Sequence, residues 1–173
     1  MKKLLAFALL CTAAATPALA QSSRYYGAVD YGTVNMSGPG SYSSPEALTA
    51  SVGYRYLPNL SFEGGLTQVG SATATTPFGT RVSVSQTIVS AVAVGLLPIN
   101  KDFSLFGKAG VGLHNGDVNG VPDDLVLGFG GQVEINPKIS ARVQYEMLGR
   151  ARIPTTNERA DMSRLSFGAV VNF

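Results

Sequence analysis

The stretch Ser163-Arg164-Leu165-Ser166-Phe167-Gly168-Ala169-Val170-Val171-Asn172-Phe173 alternates with a period of two. Leu165, Phe167, Ala169, Val171 and Phe173 are apolar. Arg164, Ser166, Gly168 and Asn172 between them are polar or small, and Val170 is the exception. Successive side chains of a strand point to opposite faces, so this spacing predicts a β-strand with one greasy face and one wet or crowded face.

Seven further segments carry the same alternation. Ile139, Ala141, Val143, Tyr145 and Met147 alternate with Ser140, Arg142, Gln144 and Glu146. Leu125, Leu127, Phe129, Val133 and Ile135 face away from Gly128, Gly130, Gln132 and Glu134, and Phe103, Leu105, Ala109, Val111 and Leu113 away from Ser104, Lys108, Gly110, Gly112 and His114. Leu48, Ala50, Val52, Tyr54 and Tyr56 oppose Thr49, Ser51, Gly53 and Arg55. Leu60, Phe62 and Leu66 form a shorter apolar row, and Val82, Val84, Ile88, Val92, Val94 and Leu96 another. The first strand, about Tyr25 to Asn35, sets Val29 and Tyr31 against Asp30. The connections alternate too. Those at 57–59, 98–102 and 136–138 are tight, and those at 37–47, 70–81, 115–124 and 149–161 are longer and polar. Short turns at one end and long loops at the other are the habit of transmembrane barrels. The turns run into Leu60-Ser61, Phe103-Ser104 and Ile139-Ser140, as if one hairpin had been copied.

A soluble lipocalin-type barrel would give the same strand count, so the wet face decides. Nearly all strand charges lie on one face: Asp30, Arg55, Glu63, Lys108, Glu134, Arg142, Glu146 and Arg164. The other face is continuous and apolar, a hazard in water but a requirement in lipid, where only a closed barrel satisfies every backbone group. The expected fold is therefore an eight-stranded antiparallel up-and-down transmembrane β-barrel with its charges inside, four acidic and four basic. If Tyr56 faces Leu60, Arg55 opposes Ser61 and lies diagonal to Glu63. If Ile135 faces Ile139, Glu134 opposes Ser140 and lies diagonal to Arg142. Each hairpin is expected to hold an ion pair at its short-turn end, since diagonal neighbours are within reach of long side chains.

The N-terminus has the form of a secretory signal. Lys2 and Lys3 precede an apolar run from Leu4, and Ala18-Leu19-Ala20 supplies a cleavage site. Residues 1–20 are expected to be removed, leaving 21–173 as one outer-membrane barrel domain. The run is too short for a membrane-spanning helix and is broken by Pro17. Cys11, the single cysteine, follows Leu10, so no lipid attachment is expected. Lys2 and Lys3 account for the whole excess of 13 basic over 11 acidic residues, so the mature chain is neutral. Neutrality gives no footprint for nucleic acid. One histidine and no mature cysteine leave no zinc or iron ligand set, and no cofactor is expected.

Leu165, Phe167, Ala169, Val171 and the terminal Phe173 resemble the C-terminal signal of outer-membrane proteins. Together with Tyr25-Tyr26-Gly27 and the eight segments, the chain resembles the OmpA-type membrane domain and the related opacity-protein barrels. The resemblance implies residence in outer-membrane lipid and lipopolysaccharide, recognition by the barrel assembly machinery, and a network of Arg55, Glu63, Lys108, Glu134 and Arg142 that blocks or gates the lumen. Phe173 closes the sequence, so the peptidoglycan-binding domain of full-length OmpA proteins is not expected.

Sharper chemistry finds little support. His114, the only histidine, stands at a strand end without a neighbouring nucleophile and reads as a rim residue. Asp117, Asn119, Asp123 and Asp124 lack the spacing and closing glutamate of a calcium loop and read as an acidic turn. Arg150, Arg152 and Arg159 suit lipopolysaccharide phosphates, but Glu158 and Asp161 dilute them, and the stretch reads as a solvated loop. Three functions remain open. The first is a structural or surface-interaction role, with adhesion through the loops. The second is a narrow channel for ions or small solutes, and the third a lipid-modifying barrel enzyme. A filled interior favours the first. The chain is expected to be a monomer without catalytic residues, meeting any extracellular ligand through its loops.

Overall fold

The computed structural model describes residues 24–37, 41–42, 44–75, 81–114, 124–152 and 159–173. The cleavage residues Ala18 and Ala20, and Asp117, Asn119 and Asp123 of the acidic turn, lie outside them. Eight long strands appear in chain order with one two-residue segment: β1 (Tyr25–Ser37), β2 (Ser41–Tyr42), β3 (Glu46–Leu57), β4 (Leu60–Thr75), β5 (Arg81–Pro98), β6 (Phe103–His114), β7 (Asp124–Asn136), β8 (Ile139–Arg152) and β9 (Arg159–Asn172). Each long strand pairs antiparallel with the next, and β9 returns to β1 with Tyr26 opposite Asn172 and Ser37 opposite Asp161. The sheet is a closed eight-strand antiparallel barrel, with β2 an added rung on β4.

The turn chemistry explains the repeated hairpin. Asn100 Oδ1 accepts from the N–H groups of Asp102 (3.0 Å) and Phe103 (2.7 Å). Asn136 Oδ1 does the same for Lys138 (2.9 Å) and Ile139 (2.8 Å). In both cases the asparagine sits three residues before the strand and satisfies two turn donors from its own side chain. Arg55 opposes Ser61 and Glu134 opposes Ser140 as expected, but the pairs next to the turns are Leu57–Leu60 and Asn136–Ile139 instead of Tyr56–Leu60 and Ile135–Ile139, because Tyr56 and Ile135 are the extra residues of bulges. Two long loops prove shorter than the polar composition suggested. β4 continues to Thr75 and β5 begins at Arg81, while β8 runs to Arg152 and β9 starts at Arg159. Ladder pairing needs backbone, not grease, so strands continue past the apolar band.

The odd positions of β9 face outward: Leu165, Phe167, Val171 and Phe173 are exposed, whereas Arg164, Ser166 and Val170 are buried. Exposed Tyr31, Val52, Phe62, Leu105, Leu125, Phe129, Val143 and Met147 extend that apolar skin around the wall. One strand departs from the expectation that its apolar row faces lipid. On β5 the buried row is Ile88, Val92 and Val94, while Val89 and Leu97 are exposed. Residues 88–99 are nearly all apolar, so composition there does not distinguish the faces; register with Lys108 and His114 of β6 does.

Candidate functional site: the filled lumen

Five strands send charge inward. Arg142 on β8 grips Asp30 on β1 with both ends of its fork: Nε donates to Oδ1 at 2.7 Å and Nη2 to Oδ2 at 2.5 Å. Its Nη1 donates to Glu63 Oε1 on β4 at 2.9 Å. Lys108 on β6 donates to Glu63 Oε2 at 3.0 Å and lies 3.5 Å from Glu146 Oε1 on β8. Arg164 on β9 closes the chain against Glu146 Oε2 and Thr49 Oγ1. Three carboxylates thus meet three cations with every member buried. Balance matters because an uncompensated charge in such a core costs several kcal/mol, on the order of 3–5 when one partner is removed.

Glycines set the spacing. Asp30 and Arg142 stand on β1 and β8, and both are register partners of Gly168 on β9 between them. The pair joins across a bare backbone, and a Cβ on Gly168 would collide with Asp30 Oδ1. The pattern recurs. Lys108 and Glu146 both pair with Gly128, where a Cβ would stand 2.8 Å from Glu146 Cγ. Tyr26 and Glu63 both pair with Gly53, and the Tyr26 hydroxyl donates to Glu63 Oε1 at 2.8 Å across it. In each row a long polar group spans two strand spacings, and the missing side chain leaves room for it.

Two expected members are not in this network, which corrects both hairpin pairs. Arg55 is half-buried at the short-turn end, donates to Asn172 Oδ1 at 2.9 Å, and stacks 5.3 Å from the Tyr26 ring centre. Glu134 is exposed beside the bulge, and the residue opposite Arg142 is Gln132. Apart from Glu146 and Arg164, which oppose each other on adjacent strands, the partners stand two or more strands apart, within reach because the barrel is only wide enough for side chains to fill. Glu134→Ala is accordingly expected to change urea stability by about 0–1 kcal/mol, as for exposed charges. A loss as large as that from Arg142→Ala would contradict this placement.

Apolar layers bound the charges. Toward the long-loop end, Val34, Ala47, Val69, Ile88, Leu148 and Met162 form one buried cluster, with Met36 packed on it. Below it on the β5 side lies a second, Val92, Val94, Phe106 and Val126, and at the short-turn end Tyr26, Ala28 and Val170. Cavities of about 10 and 20 Å3 remain on either side of the Glu63–Arg142 contact. The smaller is about the size that admits one water. None of the apolar lid was expected from the sequence, because Leu148 and Met162 come together only through the β8 bulge. His114, expected to be a solvated rim residue, is instead buried at the end of β6, with Nδ1 3.2 Å from Asp124 Oδ2.

An apolar skin around a closed barrel with a charged, filled core defines a transmembrane β-barrel of the bacterial outer membrane. The chain belongs to the outer membrane protein beta-barrel domain family, whose model matches residues 5–173. Among solved structures, Neisserial surface protein A is similar, at 16% identity and a TM-score of 0.64 over 89% of this chain and 100% of that one. Ail, the attachment invasion locus protein of Yersinia pestis, shares 17% identity with a TM-score of 0.56, covering 88% and 100%. The N-terminal barrel domain of Pseudomonas aeruginosa OprF shares 12% with a TM-score of 0.53, covering 88% and 100%. At these identities the likeness is one of fold. No curated protein matches in sequence.

Proposed function

We propose that this protein is a sealed outer-membrane barrel whose role is structural or surface-facing, with contacts to the outside made at its long-loop end. The observation that carries this reading is the lumen: a balanced network of six charges beneath a layer of buried aliphatic side chains. Such a core supports neither a water-filled conduit nor a substrate site. The Ail structure solved with the heparin analogue sucrose octasulfate supplies a precedent for an extracellular ligand on this fold. A lipid-modifying activity is the weaker reading, since no serine or other nucleophile neighbours His114 in the sequence. Cleavage after Ala20, a monomeric state, and recognition of Leu165, Phe167, Ala169, Val171 and Phe173 by the assembly machinery belong to the same reading. Phe173 is well placed for it: its N–H donates to the Tyr25 carbonyl at 3.2 Å, across the seam where the barrel closes.

Single-channel recording in planar bilayers tests the proposal. The expected record is the protein-free baseline across a range of voltages. Regular ohmic steps from folded barrel would favour the conduit instead.

A further inference from the structure

One long polar side chain in the lumen stands outside the charge network. Gln144 lies on β8 between Arg142 and Glu146 and is 1% exposed. Its amide nitrogen and oxygen are both buried, and neither has a hydrogen-bond partner among the described residues. The row around the wall explains why. Opposite Gln144 on β7 is Gly130, followed by Phe106 on β6. Opposite it on β9 is Ser166, whose hydroxyl is also without a partner among the described residues, and the row then runs through Gly32 on β1 to Ala47 on β3. In the ionic rows a glycine lets a long group cross to a charge two strands away. Here no charge stands beyond the glycines. One rung toward the long loops, Arg164 bonds Thr49 and Glu146 through its two Nη groups, while its buried Nε is in the same position as the Gln144 amide.

A buried amide without a partner costs its full desolvation, whereas an apolar side chain of the same shape does not. Folded proteins meet such groups with protein or with ordered water. Gln144 and Arg164 line the same cavity of about 20 Å3, on the long-loop side of the Glu63–Arg142 contact. Size and charge select what fits there. A water needs roughly 10–15 Å3, so the cavity takes one and has no room for a hydrated ion. Around it Asp30, Glu63 and Glu146 balance Lys108, Arg142 and Arg164, and an ion of either sign would upset that balance. A neutral molecule does not. Water also donates and accepts as the amide does, and it can accept from an arginine Nε–H, which only donates.

We propose that this cavity is a binding site for a single water molecule, which accepts from Arg164 Nε–H and bonds to the Gln144 amide. The water is then a fixed member of the charge network, enclosed beneath the aliphatic layer that contains Ile88, Leu148 and Met162. It accounts for a glutamine at a buried position where leucine would fill a similar volume. The site is independent of what the loops contact outside the cell.

The experiment is a crystal structure of the barrel, at a resolution that shows ordered water, for the parent and for Gln144→Leu. The parent is expected to show one density peak about 2.7–3.2 Å from the Gln144 amide and from Arg164 Nε, and the variant to lose it. In urea unfolding from phosphatidylcholine vesicles, Gln144→Leu should lower the midpoint, because losing the water strands Arg164 Nε. An unchanged or raised midpoint is the result for an amide that never had a partner, and it overturns the proposal. So does a parent map with no peak in the cavity, or with the Gln144 amide turned to bond Ser166 directly. Contacts of about 2.0–2.6 Å would identify a metal cation, and replacement of the peak by soaked bromide a halide; either result makes the site ionic and the water assignment wrong. Should Gln144→Leu fail to fold, the parent map decides alone.

Discussion

Arg142→Ala is expected to cost the barrel about 3–5 kcal/mol, the range for removing one member of a buried ion pair. Arg142 supplies Asp30 with two charge-assisted hydrogen bonds and Glu63 with a third. Asp30 is 0% exposed, so its carboxylate has no route to solvent once the guanidinium is gone. Glu63 is better protected because Lys108 and Tyr26 still reach it. The penalty should therefore concentrate on Asp30, and Asp30→Asn should recover a substantial part of it in the double mutant. Urea unfolding in lipid vesicles, arranged as a double-mutant cycle, measures the coupling. Strict additivity of the two substitutions would mean that they do not share a buried contact.

The second large effect is expected at a residue with no side chain. Gly168→Val should prevent most of the chain from reaching the folded, heat-modifiable form on a gel. A Cβ at this position collides with Asp30 Oδ1 and with the Val29 carbonyl oxygen, both on β1. Overpacking alone typically costs about 1–3 kcal/mol. Here the Asp30–Arg142 pair is displaced as well, and the collision falls on the β1–β9 seam that closes the barrel. Gly64→Val is the control, because nothing lies within 4 Å of a Cβ there. Equal folded fractions for the two variants would show that Gly168 is not a crossing point for the ion pair.

Much of this architecture was legible in the alternation. Period-two rows assign a face to each residue on a strand, so Asp30, Glu63, Lys108, Arg142, Glu146 and Arg164 could be placed inside one strand at a time. Pairing between them could not. Which charges meet depends on strand stagger and curvature, which bring β1 against β8 across Gly168 and leave Glu134 outside at the turn. Arg55–Ser61 and Glu134–Ser140 were legible, although bulges at Tyr56 and Ile135 move the turn pairs themselves to Leu57–Leu60 and Asn136–Ile139. Turn length said nothing about the far wall. The β5 face was misassigned for a different reason: where both rows are apolar, alternation carries no sign. The β8 bulge escaped notice because one inserted residue leaves no compositional trace except a glycine among many.

The layer formed by Val34, Ala47, Val69, Ile88, Leu148 and Met162 lies between the charge network and the long-loop end, drawing residues from β1, β3, β4, β5, β8 and β9. It acts as a water-excluding gasket. Segments above it can change length and sequence without opening a path for water to Arg142 or Glu63 below. A barrel built this way separates the part that must stay constant in order to fold from the part free to diverge under selection at the cell surface. It is for the same reason a scaffold onto which foreign loops can be grafted.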